Sequence, residues 1–226
     1  MRVATGIGAN IEAVSKRIAS ACQRVGRSPA EITIVAVTKT VTLQAITTAF
    51  EMGIGHFGEN RVQEAAEKIK HLSGLTPRPT WHMVGHLQTN KAKQAVAIFD
   101  TVQSVDSVRL AEVLSRCARK TLPVLLEVNI AGEAAKSGFP VVQVAPSLEA
   151  ISRLPHLEVK GLMTIAPLLA DAEQVRPVFR KLRSLRDSLG LEHLSMGMTD
   201  DFEVAVEEGA TMLRIGRAIF GVRESK

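Results

Sequence analysis

Apolar positions along the chain alternate between two periods, and the alternation recurs often enough to define a fold. In residues 11–25 the apolar residues Ile11, Val14, Ile18, Cys22 and Val25 fall three or four apart, which is one face of a helix, and Gly26 follows as a stop. ITIVAVT (residues 32–38) is a short β-branched run of the kind that forms a strand buried on both faces. It leads directly into Lys39. Thr42 then offers a cap for a helix reaching Met52, and Gly53 closes it.

The same strand-then-helix unit repeats down the chain. HFGEN (56–60) precedes a helix over 61–71, and WHMVG (81–85) precedes one through Ala92 and Val96. Residues 99–105 precede a helix over 107–119, and LPVLLEVNI (122–130), the strongest strand, precedes one near 144–154. Residues 157–163 lead to a long helix over 173–189, 193–196 to a helix near 202–208, and 211–215 to a short terminal helix. Eight such units after one leading helix, with no linker or composition shift, predict a single α/β domain over residues 1–226. Buried strands alternating with helices require a parallel sheet with right-handed crossovers. Eight units close into a (β/α)8 TIM barrel, whereas an open doubly wound sheet often carries GxGxxG after its first strand, and none follows residues 32–38.

Composition narrows the setting. The 226 residues are 46% hydrophobic and 23% charged, with a formal charge of +5, which suits a folded globular protein. Arg176, Arg180 and Arg183 share one helix side, read as a solvated face; no aromatics interleave with it, so no nucleic-acid site is expected. Cys22 and Cys117 are far apart and lie outside any CxxC pair, as expected of buried free thiols in a reducing compartment. No apolar run approaches the ~18 residues of a membrane span, and Lys16 and Arg17 interrupt the first amphipathic segment, so a cytoplasmic location is expected.

In a barrel of this kind, chemistry sits at the carboxyl ends of the strands. The polar residues there are Lys39, Glu59, Asn60, His86, Ser104, Asp106, Asn129, Ser195 and Arg214. Lys39 ends an apolar strand, where an amine has its ammonium form disfavoured and becomes a carbonyl nucleophile, although a lysine snorkelling at a rim fits the same spacing. SMGMT (195–199) and RIGRAIFG (214–221) each place a glycine between strand and helix. Barrels often bind phosphate there, with Gly197 and Gly216 admitting an anion to helix N–H groups, though ordinary tight turns would look alike. Asp200 and Asp201 offer a carboxylate pair for acid/base chemistry, but at a helix start they serve equally well as cap and dipole partners, which is the expected reading. His82 and His86 lack an identifiable third zinc ligand.

Taken together, VAVTK, HFGENRVQEA, WHMVGHLQTNK, EVNI with KSG, GLMTI and LSMGMTDDFEVAVEEGATMLRIGRAIFG resemble the pyridoxal phosphate homeostasis proteins over residues 32–223. The resemblance implies the barrel of fold-type III pyridoxal phosphate (PLP) proteins, related to the N-terminal domain of alanine racemase. It further implies that Lys39 forms the imine with the cofactor aldehyde. Ser195, Gly197, Met198, Thr199, Gly216 and Arg217 match the phosphate-binding segments, Arg214 the arginine facing the pyridine nitrogen, and Asn60 and Met83 residues near the ring. Thr199 stands where serine is common and Arg217 where threonine is, so at position 217 only the backbone contact carries over.

The resemblance implies a non-catalytic carrier that buffers PLP or delivers it to PLP-dependent apoenzymes. An amino-acid racemase on the same fold is the competing reading. Related racemases add a tyrosine from a partner's second domain as second base; this sequence contains no tyrosine and shows no second domain. A cation beside the pyridine nitrogen also disfavours its protonation and weakens the ring as an electron sink. Without a second domain or a marked apolar interface, a monomer or weakly associated dimer is expected.

Overall fold

The computed structural model describes residues 2–133, 136–167, 169 and 171–221. Among these, eight parallel strands pair in chain order: β1 (Thr33–Val37), β2 (His56–Glu59), β3 (Thr80–Met83), β4 (Thr101–Val105), β5 (Leu122–Asn129), β6 (Leu157–Met163), β7 (His193–Ser195) and β8 (Met212–Ile215). The first strand pairs with the last, Val35 opposite Arg214 and Ala36 opposite Ile215, and β4 pairs with β5. The sheet is therefore a closed barrel, as the repeated units predict. A two-residue strand, Phe139–Pro140, extends the pairing of β5 outside the barrel. So short a segment carries no period by which to recognise it.

Between the strands run α2 (Leu43–Glu51), α3 (Val62–His71), α4 (Ala92–Ile98), α5 (Val108–Cys117), α6 (Val141–Ser152), α7 (Arg176–Ser188), α8 (Phe202–Glu207) and α9 (Arg217–Phe220), after a leading α1 (Arg2–Arg24). Local chemistry sets several starts. The Thr42 hydroxyl accepts the Ala45 N–H at 3.3 Å, and Ser107 accepts the Leu110 N–H at 3.3 Å. Helix α6 begins at Val141 rather than near 144, because Val144, Ser147 and Ile151 form the buried stripe and Val141 supplies the turn before it.

Helix α1 starts well before residue 11, although Gly6 and Gly8 are poor helix formers. Ile7 continues the stripe of Ile11, Val14 and Ile18, and all four are buried, so tertiary burial overrides propensity. Arg17 lies 4.4 Å over the Phe202 ring and 2.6 Å from Glu203, and Asn10 donates to the Ile219 carbonyl at 3.0 Å. The leading helix is thus fastened to α8 and α9, the helices that flank the last strand.

The arginine face of α7 is less solvated than its spacing suggests. Arg176, Arg180 and Arg183 converge on Glu208 at 3.2, 3.0 and 3.4 Å, and that carboxylate is 4% exposed. A carboxylate so deeply buried requires compensation, and the three cations tie α7 to the end of α8. Cys22 is buried, which pushes its thiol pKa up, whereas Cys117 is only half-buried; neither is in a disulfide. Among the described residues no helix is long and apolar enough to cross a membrane.

Candidate functional site

The carboxyl ends of the strands surround a cavity of about 570 Å³. Lys39, Asn60, Met198, Thr199, Arg214, Gly216 and Arg217 all line it, bringing residues of the first, second, seventh and eighth units to one place. Cavities of roughly 300–1,000 Å³ accommodate small-molecule ligands. Two smaller clefts open from the same mouth, one of about 430 Å³ reached by Lys39 and Met83, the other of about 310 Å³ lined by Glu127 and His86. Asn60 borders all three, and its Oδ1 is buried without a hydrogen-bond partner among the described residues. A buried amide oxygen without a donor is costly, which marks a place for a ligand hydroxyl or N–H. Gly85 permits the close approach of Asn60: a Cβ there would lie 2.5 Å from the Asn60 carbonyl oxygen.

Lys39 is half-buried, and the chain on either side of it is held by side chains of the second unit. The Thr38 hydroxyl donates to Glu59 at 2.6 Å, and the Thr40 N–H donates to Glu64 at 2.6 Å. Lys68 on α3 joins both carboxylates, at 2.7 Å from Glu59 and 2.6 Å from Glu64, and also donates to the Thr38 carbonyl at 2.5 Å. Burial pushes the Glu59 carboxyl above its ordinary range despite Lys68 and Thr38. Burial also acts upward on Glu64, but its bonds from Lys68 and from the Thr40 N–H outweigh it and leave Glu64 lowered.

Arg214 is buried and forms part of the cavity floor. Its guanidinium donates to Ser195 Oγ at 2.6 Å and to the Thr164 carbonyl at 2.7 Å. Ser195 in turn donates to Gln103 Oε1 at 2.6 Å; because β4 and β7 are not neighbours, this bond crosses the barrel interior. Gln103 Nε2 lies 3.0 Å from His82 Nδ1, and His82 Nε2 lies 3.0 Å from His56 Nδ1. An amide nitrogen only donates, so His82 accepts at Nδ1, carries its proton on Nε2 and donates to His56. Burial enforces that neutral form, with His56 adding to it: the His82 pKa is lowered to about 3. Burial likewise lowers Arg214 to about 10, which leaves it charged at neutral pH, facing the fields of Asp201 and Glu127.

The two glycine turns differ. Gly197 has φ +90, and a Cβ there would lie 2.5 Å from that of Ala205, so the residue serves the close packing of α8 and does not line the cavity. Asp201 bends the same turn by accepting the Met198 N–H at 2.6 Å rather than capping α8 with its side chain. Thr199 Oγ1 accepts the Ala218 N–H at 3.3 Å in the first turn of α9, and the Arg217 side chain pairs with exposed Asp200. Gly216 and Arg217 both line the cavity, and the Arg217 head is paired with Asp200, which lines it too.

Of the other strand-end residues, Ser104 donates to the Gly85 carbonyl at 2.6 Å, and Asn129 folds its own loop by bonding Glu133. His86 and Asp106 form a pair 2.9 Å apart at the rim, where His86 is exposed while His82 is buried. Ser195 is placed under the floor as a support of Arg214, not on the cavity wall. Sequence reading passed over Gln103 and Lys68. A polar residue in the middle of the buried run TVQSV was the available signal for the first; for Lys68, on a solvated-looking helix, there was none.

A chain with this barrel and mouth has recognisable relatives. Residues 9–224 match the family model described as alanine racemase, N-terminal domain. The pyridoxal phosphate homeostasis protein of Aquifex aeolicus is 43% identical over 220 residues, covering 93% of this chain and 96% of the relative. A crystal structure described as that of an unknown protein from Bifidobacterium adolescentis superposes with a TM-score of 0.89 at 36% identity, covering 97% of this chain and 96% of that one. PipY of Synechococcus elongatus PCC7942, solved with PLP bound, superposes with a TM-score of 0.81 at 38% identity, covering 92% and 100%. The chain belongs to the family of pyridoxal phosphate homeostasis proteins.

Proposed function

We propose that this protein binds PLP at the barrel mouth, joined to the Lys39 amine, and serves intracellular PLP homeostasis by holding and releasing the cofactor. The observation that carries this reading is the meeting of Lys39 with Thr199, Gly216 and Arg217 on one cavity. A lysine at one wall and helix N–H groups at the other suit an aldehyde with a phosphate at its far end. The partnerless Asn60 oxygen between them suits a ring hydroxyl. The relative PipY, solved with PLP bound, adds weight. When bound, the cofactor supplies an aldehyde carbon that condenses with an amine.

The chain's own residues favour holding over turnover. Arg214, charged and fixed by Ser195 and Thr164, keeps a proton off any ring nitrogen placed against it. Racemisation needs a proton donor on each face of a planar carbanion, and the sequence contains no tyrosine. The His86–Asp106 pair at the rim favours an enzyme, and deuterium exchange at the α-carbon of alanine and serine tests it. Turnover at roughly 1 s⁻¹ or more, abolished by Lys39→Ala, would establish catalysis instead.

The direct test is an absorbance spectrum of the purified protein with PLP, before and after borohydride, followed by peptide mass mapping. The label is expected on Lys39, and Lys39→Ala should lose the imine band while remaining folded. Labelling of Lys91 or Lys136 in the wild-type protein would overturn the assignment.

A further inference from the structure

We propose that Lys68 is a positioning residue for Lys39, resting on the reading that Lys39 holds the cofactor. Lys68 is 8% exposed and lies on α3, in the second unit, whereas Lys39 follows the first strand. Its ammonium has three proton donors, and three acceptors meet it: the Thr38 carbonyl, Glu59 and Glu64. Each acceptor bears on Lys39. The Thr38 carbonyl belongs to the peptide unit that joins Thr38 to Lys39. Glu59 holds the Thr38 hydroxyl, and Glu64 holds the Thr40 N–H. The residues immediately before and after Lys39 are thus tied to one buried cation.

That tie acts where the backbone has a choice. Thr40 has φ +62, the left-handed region, which a β-branched residue occupies only when its surroundings enforce it. The bond from its N–H to Glu64, and the hold of Lys68 on Glu64, supply that enforcement. The direction in which the Lys39 stem leaves the strand is set by the peptide planes on either side of it. Fixing those planes fixes where the amine enters the cavity. The arrangement is costly if its function were packing alone: Glu59 is fully buried with Oε2 lacking a partner among the described residues, and a well-packed apolar trio at these positions would avoid that cost.

The test uses the full-length double variant Lys68→Met/Glu59→Gln, which removes the buried cation and its buried counter-charge together and keeps an amide oxygen for Thr38. Circular dichroism checks folding. Two quantities are then read: PLP affinity by absorbance titration, and the pH profile for reductive methylation of Lys39 by formaldehyde and cyanoborohydride without PLP, by mass mapping. Misplacement of a reacting group by about 1 Å costs on the order of 100-fold, so PLP affinity should fall about 10- to 100-fold. The Lys39 methylation profile should shift, and Lys68→Arg should recover part of both effects. A folded double variant with wild-type affinity and methylation profile would overturn the proposal, as would a loss of thermal stability with both quantities unchanged. If the double variant does not fold, Glu64→Ala, at a site 26% exposed, is read the same way: weaker PLP binding supports the tie to Thr40, and wild-type behaviour overturns it. Borohydride trapping on wild-type protein separates the two claims, because a label away from Lys39 removes the underlying reading as well.

Discussion

Gln103, a neutral side chain in the middle of a buried strand, links two histidines on one side of the barrel to a serine and an arginine on the other. Each bond in that series runs in one direction, from Arg214 through Ser195 and Gln103 to His82 and His56. A protonated His82 would present a donor to the Gln103 amide nitrogen and break the order. The consequence is a pH dependence with a definite sign. In the unfolded chain His82 takes a proton near pH 6.5, whereas in the folded protein it resists until about pH 3. Stability from this residue is therefore full above about pH 6.5 and declines as pH falls toward 3. Glu59, Glu127 and Asp201, raised by burial, act in the opposite sense, so the informative quantity is the difference between proteins. Urea midpoints of wild type should drop more steeply between pH 7 and 4.5 than those of His82→Gln; parallel curves would show that the imidazole is not what resists acid.

Single residues were legible in the sequence where position along a strand alone decides their place. Lys39 and Arg214 fall at strand ends, and both reach the mouth. Ser195 also falls at a strand end, but which way its hydroxyl points depends on the barrel interior, and Gln103 claims it. Lys68 was illegible because its three partners come from two units and meet only after the strands have paired.

Among the elements, the turns after β7 and β8 hold contrasting glycines. Gly197 combines a left-handed φ with a Cβ position blocked by Ala205, so Gly197→Ala should destabilise the fold by about 1–3 kcal/mol through strain and overpacking. A wild-type urea midpoint in that variant would show that the turn relaxes freely. The Gly216 turn has no such demand, since its φ is not positive and a Cβ would sit 3.4 Å from the Val37 carbonyl. Its glycine is better explained by access to the backbone at the start of α9. Pyridoxal, which lacks the phosphate, should accordingly bind more weakly than PLP by about 2–4 kcal/mol, or roughly 30- to 1000-fold. Equal affinities would mean that the phosphate is held elsewhere. Helices were read correctly as elements, and those after Thr42, Arg61 and Asp201 also near their ends, but the starts of α1 and α6 were not. The start of α1 was missed because Gly6 and Gly8 hide a stripe that Ile7 continues.

For the whole molecule, the order of eight strand–helix units was enough to give the barrel, because parallel strands leave few ways to connect them. What the units do not reveal is where the barrel is weakest. The pairing of β1 with β8 joins Thr33 to Met212, a contact between the first and last strands that brings the full loop-closure entropy of the chain. On the proposed reading, a cofactor fixed to Lys39 past β1 and held by backbone groups past β8 spans that same junction. It would then act as a staple across the seam, adding about 2.7 kcal/mol at a free concentration 100 times Kd. Amide hydrogen exchange should slow most in β1 and β8 on loading and least in α5 and α6; uniform slowing would argue against a stapled seam. Empty copies would open at this junction more often than loaded ones and so be cleaved sooner by proteases. The lifetime of the protein would then follow its cargo, and a shortage of cofactor would thin the population of carriers without any separate sensor.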